Sequence, residues 1–253
     1  MAFFEDLGDG RFRATSHTIG PWDERFQHGG PPSALLGRAI EQAAPREDVM
    51  VARVTVEILG PIPVGELVVT ADVVRPGKSV ELVHATMTHD GRPVATAAAW
   101  RVRRTVGAAV PSRARPAPAL PQTSMANEDW APGYMRSMEW RFAEGQLDRR
   151  GPAAAWGRMR VPLVVGEEPS PLSRVLVLAD SGNGVSRELS FGKWLFINPE
   201  LTVHLHREAV GEWVCLDAQT AVSEGGVGLA TSVLSDQDGP IGFGAQSLLV
   251  APR

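Results

Sequence analysis

Along most of this chain apolar and polar residues alternate, the period of strands that bury one face. From Val54 the order is Val-Thr-Val-Glu-Ile-Leu, and from Leu201 it is Leu-Thr-Val-His-Leu-His. Asp90-Gly91 and Asp238-Gly239 are short turn signals, so the runs they join should be antiparallel neighbours. Two stretches break this period. Pro31 to Ala43 opens on Pro-Pro, spaces its apolar residues at helical intervals and stops before Pro45, which predicts a helix. Ser170 to Asp180 also carries Pro near its start, but it is apolar almost all round, so its helix should be buried. A further strand-like piece precedes each helix, Arg11 to Thr18 and Ala154 to Pro162.

These elements recur in one order. Val64-Gly65-Glu66 follows the first strand of one set and Val210-Gly211-Glu212 that of the other, and each set ends beyond its Asp-Gly turn on a closing run, Pro93 to Ala99 and Pro240 to Gln246. The chain therefore reads as a duplication, with one unit at 1–105 and a second at 125–253. Between them, 106–124 is rich in Ala and Pro and too poor in large apolar residues to form core, so it is expected to be an extended linker. Each unit should be a strand, a long central helix and about four more antiparallel strands that wrap the helix to cover it, an α+β architecture.

Composition narrows the function classes. One cysteine in 253 residues, Cys215, rules out an internal disulfide framework and a cysteine-based zinc site, and points to a reducing, cytoplasmic setting. Twenty-five Lys plus Arg against 29 Asp plus Glu leaves a net charge of −4, without the basic bias of a nucleic-acid binder. No apolar stretch approaches the ~18 residues of a membrane span. His204 and His206 alternate on one strand face without an apparent third ligand, so no metal and no cofactor are expected. The chain has no Gly-x-Ser-x-Gly elbow for a serine nucleophile.

Three places carry candidate chemistry. Asp180 closes the apolar run Val175 to Ala179, where a carboxylate is costly to bury unless it is paired or used; the alternative is a solvent-side cap of the turn that follows. Gln246 is the only long polar side chain between Asp238 and Arg253, with Ala98 in the equivalent place of the first unit; its bland reading is an amide satisfied by nearby backbone. His28-Gly29-Gly30 stands directly before a helix start, where outward N–H groups suit a developing negative charge. Pro31 and Pro32 have no N–H, so donors must come from Gly29, Gly30 or Ser33; a tight strand-to-helix turn is the alternative.

Gln27-His28-Gly29-Gly30, Leu178-Ala179-Asp180, Asn198-Pro199-Glu200-Leu201-Thr202-Val203-His204 and Gly244-Ala245-Gln246-Ser247, in this order over nearly the whole chain, resemble the double-hotdog acyl-CoA thioesterases of the type II class. The resemblance implies two tandem hotdog units, each a long helix wrapped by a curved antiparallel sheet, and an acyl-CoA substrate. It also implies a homo-oligomer, a dimer or tetramer. In that family an Asp on the second helix, a hydroxyl or amide residue opening the next strand and a Gln on the last strand hold a water against the thioester carbonyl. Those positions fall on Asp180, Asn198 and Gln246, with Asn198 where the best-known members carry Thr. His28, Gly29 and Gly30 are the candidate substrate-binding residues, and Arg101, Arg103 and Arg104, which end the first unit, could meet a phosphate of coenzyme A, although a charged strand end is usually solvated. Two other functions compete. A silent acyl-CoA or lipid binder would keep the fold alone, and a hotdog enoyl-CoA hydratase needs a His five residues after the Asp, where this chain has Val185.

Overall fold

The computed structural model describes residues 1–105, 107, 116–125, 131 and 133–253. The first half contains β1 (Phe4–Gly8), β2 (Arg11–Ala14), a 3-10 turn (Ser16–Thr18), α1 (Gly30–Gln42), β3 (Val49–Ile58), β4 (Glu66–Arg75), β5 (Val80–His89) and β6 (Arg92–Arg103). The second contains α2 (Gly133–Arg136), β7 (Met138–Glu144), β8 (Ala153–Met159), α3 (Pro171–Ala179), α4 (Gly182–Val185), β9 (Trp194–Ile197), β10 (Glu200–Leu205), β11 (Val214–Val222), β12 (Val227–Asp236) and β13 (Gly239–Pro252). Among the described residues the strands form one sheet in the order β1-β2-β4-β5-β6-β3-β10-β13-β12-β11-β8-β7, with β9 on β13.

The halves join edge to edge through β3 and β10, which run antiparallel with Thr55 opposite Thr202 and their hydroxyls 3.2 Å apart. On either side the register repeats: Thr55 faces Ala98 across β3–β6, and Thr202 faces Ala245 across β10–β13. An approximate twofold therefore passes between the two threonines. It makes Ala98 the counterpart of Ala245 and moves the counterpart of Gln246 by one residue, to Ala99. Because strand side chains alternate between faces, that one step matters. Ala99 and Gln246 are both buried on the inner face, whereas Ala98 is only half-buried.

Helices α1 and α3 pack against each other on that inner face, antiparallel, with Gly37 allowing the approach: a Cβ there would lie 2.5 Å from Leu176 Cδ1. Leu35, Leu36 and Ile40 of α1 share one buried cluster with Val175, Leu176, Val177 and Leu178 of α3 and with strand residues of both halves, so the core runs across the join. Burying each of these side chains stabilises the fold by roughly 1.5–3 kcal/mol.

The second half differs from its expectation. In place of one long helix it has the nine residues of α3, a break at Asp180 and Ser181, and the four of α4. The break has a local cause, because the Ser181 N–H turns to the Leu178 carbonyl at 2.8 Å and leaves that of Val177 to a side chain. Arg11 to Thr18 likewise divides into β2 and the 3-10 turn.

Of the expected linker, 106 and 108–115 lie outside the described residues. Its later part does contribute to packing, since Ala117 and Leu120 lie on Trp156 and Trp213 in a small cluster of their own. Arg141 fastens this stretch by donating to the Pro121 carbonyl at 2.9 Å. Among the described residues no helix is long and apolar enough to cross a membrane.

Candidate active site

Antiparallel packing brings the N-terminal end of α1 to the C-terminal end of α3, and the sequence makes room for the contact. A Cβ on Gly29 would lie 2.8 Å from Asp180 Oδ2, and one on Gly30 only 2.1 Å from the Val177 carbonyl oxygen. The two glycines are thus required by close approach. The positive end of the α1 dipole faces a carboxylate, the favourable sense.

Asp180 is 4% exposed and lies at the C-cap of α3, not in solvent. Its Oδ1 accepts from Asn198 Nδ2 at 2.8 Å and from Gln246 Nε2 at 3.3 Å, while its Oδ2 lies 3.2 Å from His28 Nδ1. Asn198 reaches it from the loop between β9 and β10, Gln246 from the inner face of β13, and His28 from the segment before α1. Four residues from four separate parts of the chain thus converge. Asn198 and Gln246 bond the carboxylate directly, which fills Oδ1 with two donors and leaves Oδ2 with one partner and a spare lone pair. Gln246 also does the backbone work that its bland reading assigns. Its Nε2 donates to the Asp180 carbonyl at 3.0 Å, and its Oε1 accepts from the Asn183 N–H at 3.1 Å.

His28 Nδ1 has two neighbours, Asp180 Oδ2 and the Gly30 N–H at 3.0 Å. One ring nitrogen either accepts or donates, so the tautomer decides which contact is a hydrogen bond. Burial pushes the imidazole below the usual histidine range, outweighing the pull of the Asp180 carboxylate in the other direction. The ring is stacked on Tyr134 at 3.7 Å between centroids and 9° between planes. Tyr134 is the only tyrosine in the chain. Its hydroxyl donates to the Val177 carbonyl at 2.9 Å and lies 2.8 Å from Ser181 Oγ, and burial drives its phenol far above the usual range. Neither Tyr134 nor Asn183 stands out in the sequence, because neither belongs to a repeat landmark or an apolar period.

Of the three candidate N–H donors at the start of α1, Gly30 faces His28 and Ser33 donates to the Gly29 carbonyl at 3.0 Å. The Gly29 N–H has no partner among the described residues. The three arginines ending the first unit are in different settings, and of them only Arg103 is exposed without a side-chain hydrogen bond or ion pair among the described residues. Arg101 is 2% exposed and donates to the carbonyls of Ile40, Ala43 and Ala44, so it cannot reach a ligand in solvent. Arg104 pairs with Glu208 at 2.9 Å. Cys215 is buried and its thiol is pushed up to about 12 by burial, which keeps it protonated and unreactive.

Two cavities, of about 440 and 230 Å³, lie elsewhere: the larger between the end of α1 and the start of α3, the smaller beside Pro116 to Leu120. Asp180 lines neither.

Comparison with known proteins bears on this geometry. The family model for the acyl-CoA thioesterase N-terminal domain matches residues 18–102, and that for the acyl-CoA thioesterase C-terminal domain matches 111–250. Curated protein sequences give no match. Among solved structures, a conserved protein of unknown function with a hot dog fold from Alicyclobacillus acidocaldarius superposes with a TM-score of 0.75 at 17% identity, covering 98% of this chain and 95% of its own. A tesB protein from Mycobacterium avium subspecies paratuberculosis gives 0.70 at 18% identity, covering 98% and 96%. An acyl-CoA thioesterase II from Mycobacterium marinum gives 0.69 at 14% identity, covering 99% and 95%. At these identities the structures share the fold.

Proposed function

Because this chain belongs to the acyl-CoA thioesterase family and is a thioester hydrolase, we propose that it cleaves an acyl-CoA by means of a water activated by Asp180. The observation that carries the reading is the buried carboxylate with Oδ1 held by two amides and Oδ2 left with a spare lone pair beside Gly29. The water donates to that lone pair and attacks the thioester carbonyl carbon as its proton passes to Asp180. The carbonyl oxygen becomes an oxyanion that accepts from the Gly29 N–H at the start of α1. Collapse of the tetrahedral intermediate breaks the C–S bond, and the proton on Asp180 passes to the departing coenzyme A thiolate.

His28 orients Asp180. While the carboxylate is ionised, Nδ1–H donates to Oδ2 and holds it in place, so the oxyanion donor is the Gly29 N–H alone. Asn198 and Gln246 aim the carboxylate, so their hold on the water acts through Asp180. The 4% exposure of Asp180 means that acyl-CoA reaches it only when the residues over it part.

The division into hotdog units at 1–105 and 125–253, a cytoplasmic setting and a homo-oligomer belong to the same proposal. The outer face of β12 and β13 exposes Val227, Leu229, Val233, Phe243 and Leu249, apolar surface that a second copy would cover, and sedimentation checks it. The reaction is tested by incubating the protein with acyl-CoAs of several chain lengths and a thiol reagent. Saturable release of free coenzyme A is expected. Tight binding without release would identify a silent acyl-CoA binder instead.

A further inference from the structure

We propose that Tyr134 is a positioning residue of this site: it locks the His28 ring and the last turn of α3 into one unit, so that His28 Nδ1 meets the Asp180 carboxylate. The inference rests on the reading of Asp180 as the base. Its first support is the stack, in which the phenol and imidazole centroids lie 3.7 Å apart and the planes within 9° of parallel, so the imidazole cannot tip out of its plane without striking the phenol. The second is the hydroxyl. Val177 is the helix-end carbonyl that Ser181 leaves open, and Tyr134 closes it at 2.9 Å while also meeting Ser181 Oγ at 2.8 Å. These two residues bracket the turn that carries Asp180.

A third support is the way the stack is built. His28 and Tyr134 are distant in sequence, yet both hang from the stretch that begins at the 3-10 turn. The His28 N–H donates to the Thr18 carbonyl at 2.8 Å, and the Tyr134 N–H to that of Ile19 at 3.0 Å. Gly133 is needed for this fit, since a Cβ there would lie 1.7 Å from the Ser16 carbonyl oxygen. The phenol hydroxyl is engaged by Val177 and Ser181 and its proton is held tightly, so Tyr134 acts by placement and carries no proton. The titratable groups facing His28 are Asp180 from α3 and Tyr134 itself.

Two variants test this in an acyl-CoA hydrolysis assay, with activity expressed per folded molecule. Tyr134→Leu removes the stack and should lower kcat about 10²-fold with KM within a few-fold, the size of effect expected when a reacting group moves by about 1 Å. It also admits water to His28, so the acidic limb of the kcat/KM profile should move up toward the ordinary histidine range. Tyr134→Phe keeps the stack and loses only the hydroxyl, so it should recover most of that loss yet stay about three- to tenfold below wild type. If Tyr134→Leu does not fold, Tyr134→Phe decides: a small loss of kcat with unchanged KM supports the inference, and wild-type kcat overturns it. A folded Tyr134→Leu with wild-type kcat and pH profile overturns it as well. Asp180→Asn, assayed in parallel, separates the two ideas. If it is inactive while both Tyr134 variants are normal, the base assignment stands and the positioning role falls; if it keeps full turnover, the assignment of the site fails.

Discussion

The approximate twofold through Thr55 and Thr202 places two comparable ends on the inner face, where one helix stops against the start of the other, and they are furnished in opposite ways. At the end of α3, a neutral phenol closes the open helix carbonyl, and a carboxylate is held by Asn198, Gln246 and His28 with one lone pair to spare. At the end of α1, the guanidinium of Arg101 takes the carbonyls of Ile40, Ala43 and Ala44 at 3.2, 2.7 and 3.4 Å and pairs with Glu81 at 2.9 Å. On the flanking strand the first end has Gln246 where the second has Ala99. Both ends satisfy the carbonyls that a helix leaves open. The Arg101 end commits its donors to the fold and cancels its charge, whereas the Asp180 end keeps a partly unsaturated anion in a dry place. On the proposed mechanism, a duplicated fold uses both ends for stability and only one for chemistry.

Separate substitutions at the two ends should therefore affect different quantities. The largest effect is expected from Asp180→Asn, which preserves shape but cannot take a proton: kcat should fall by about 10²–10⁴ while KM changes little. The same change should leave the urea midpoint near wild type, because an amide can still accept from Asn198 and Gln246 and donate to the other His28 tautomer. Arg101→Met should do the reverse. It leaves Glu81 only the longer pair with Arg46, at 3.5 Å, and strands three helix-end carbonyls, so stability should drop by about 3 kcal/mol, while kcat per folded molecule stays at the wild-type value. A fall in kcat on that substitution would mean that the Arg101 end takes part in the reaction.

A smaller effect follows from the buried imidazole. The unfolded chain binds a proton at His28 as pH falls below about 6.5, whereas the native ring, lowered by burial, binds it later. Stability should therefore decline as pH falls through that window. Urea midpoints of His28→Gln should show a shallower decline, with the remainder carried in part by His17, which burial lowers in the same direction.

How far the sequence reaches depends on what kind of signal each feature leaves. Strand alternation, the Pro-led helices and the repeated Gly-Glu and Asp-Gly landmarks are periodic, and they point to two similar halves and to the strand that carries Gln246, whereas Asn198, in the loop before β10, follows from the family resemblance alone. Gly29 and Gly30 stood out because glycine at a helix start is conspicuous, though the reason is the crowding by Asp180 and Val177. What periodicity cannot express is contact between distant segments. Tyr134 meets His28 from a non-repeating stretch, and Arg101 turns inward beneath α1, although an arginine at a strand end suggests solvent. The one-residue shift from Ala98 to Ala99 is of another kind: the closing runs Pro93 to Ala99 and Pro240 to Gln246 already set Gln246 against Ala99, and the pairing of β3 with β10 agrees. The break after α3 is local, but the group that takes the carbonyl it leaves open, the Tyr134 hydroxyl, comes from far away in the sequence.

The central claim is that the Asp180 end works as a unit on one water, and a double substitution tests it most directly. Gln246→Ala alone should lower kcat by about 10- to 100-fold by loosening the carboxylate. Once Asp180→Asn has removed the base, Gln246 has nothing left to aim, so the double variant should turn over within a few-fold of Asp180→Asn alone. Measured per folded molecule at saturating acyl-CoA, that result is the one expected. Losses that multiply instead would show two residues acting on separate steps, and would contradict a single site built around Asp180.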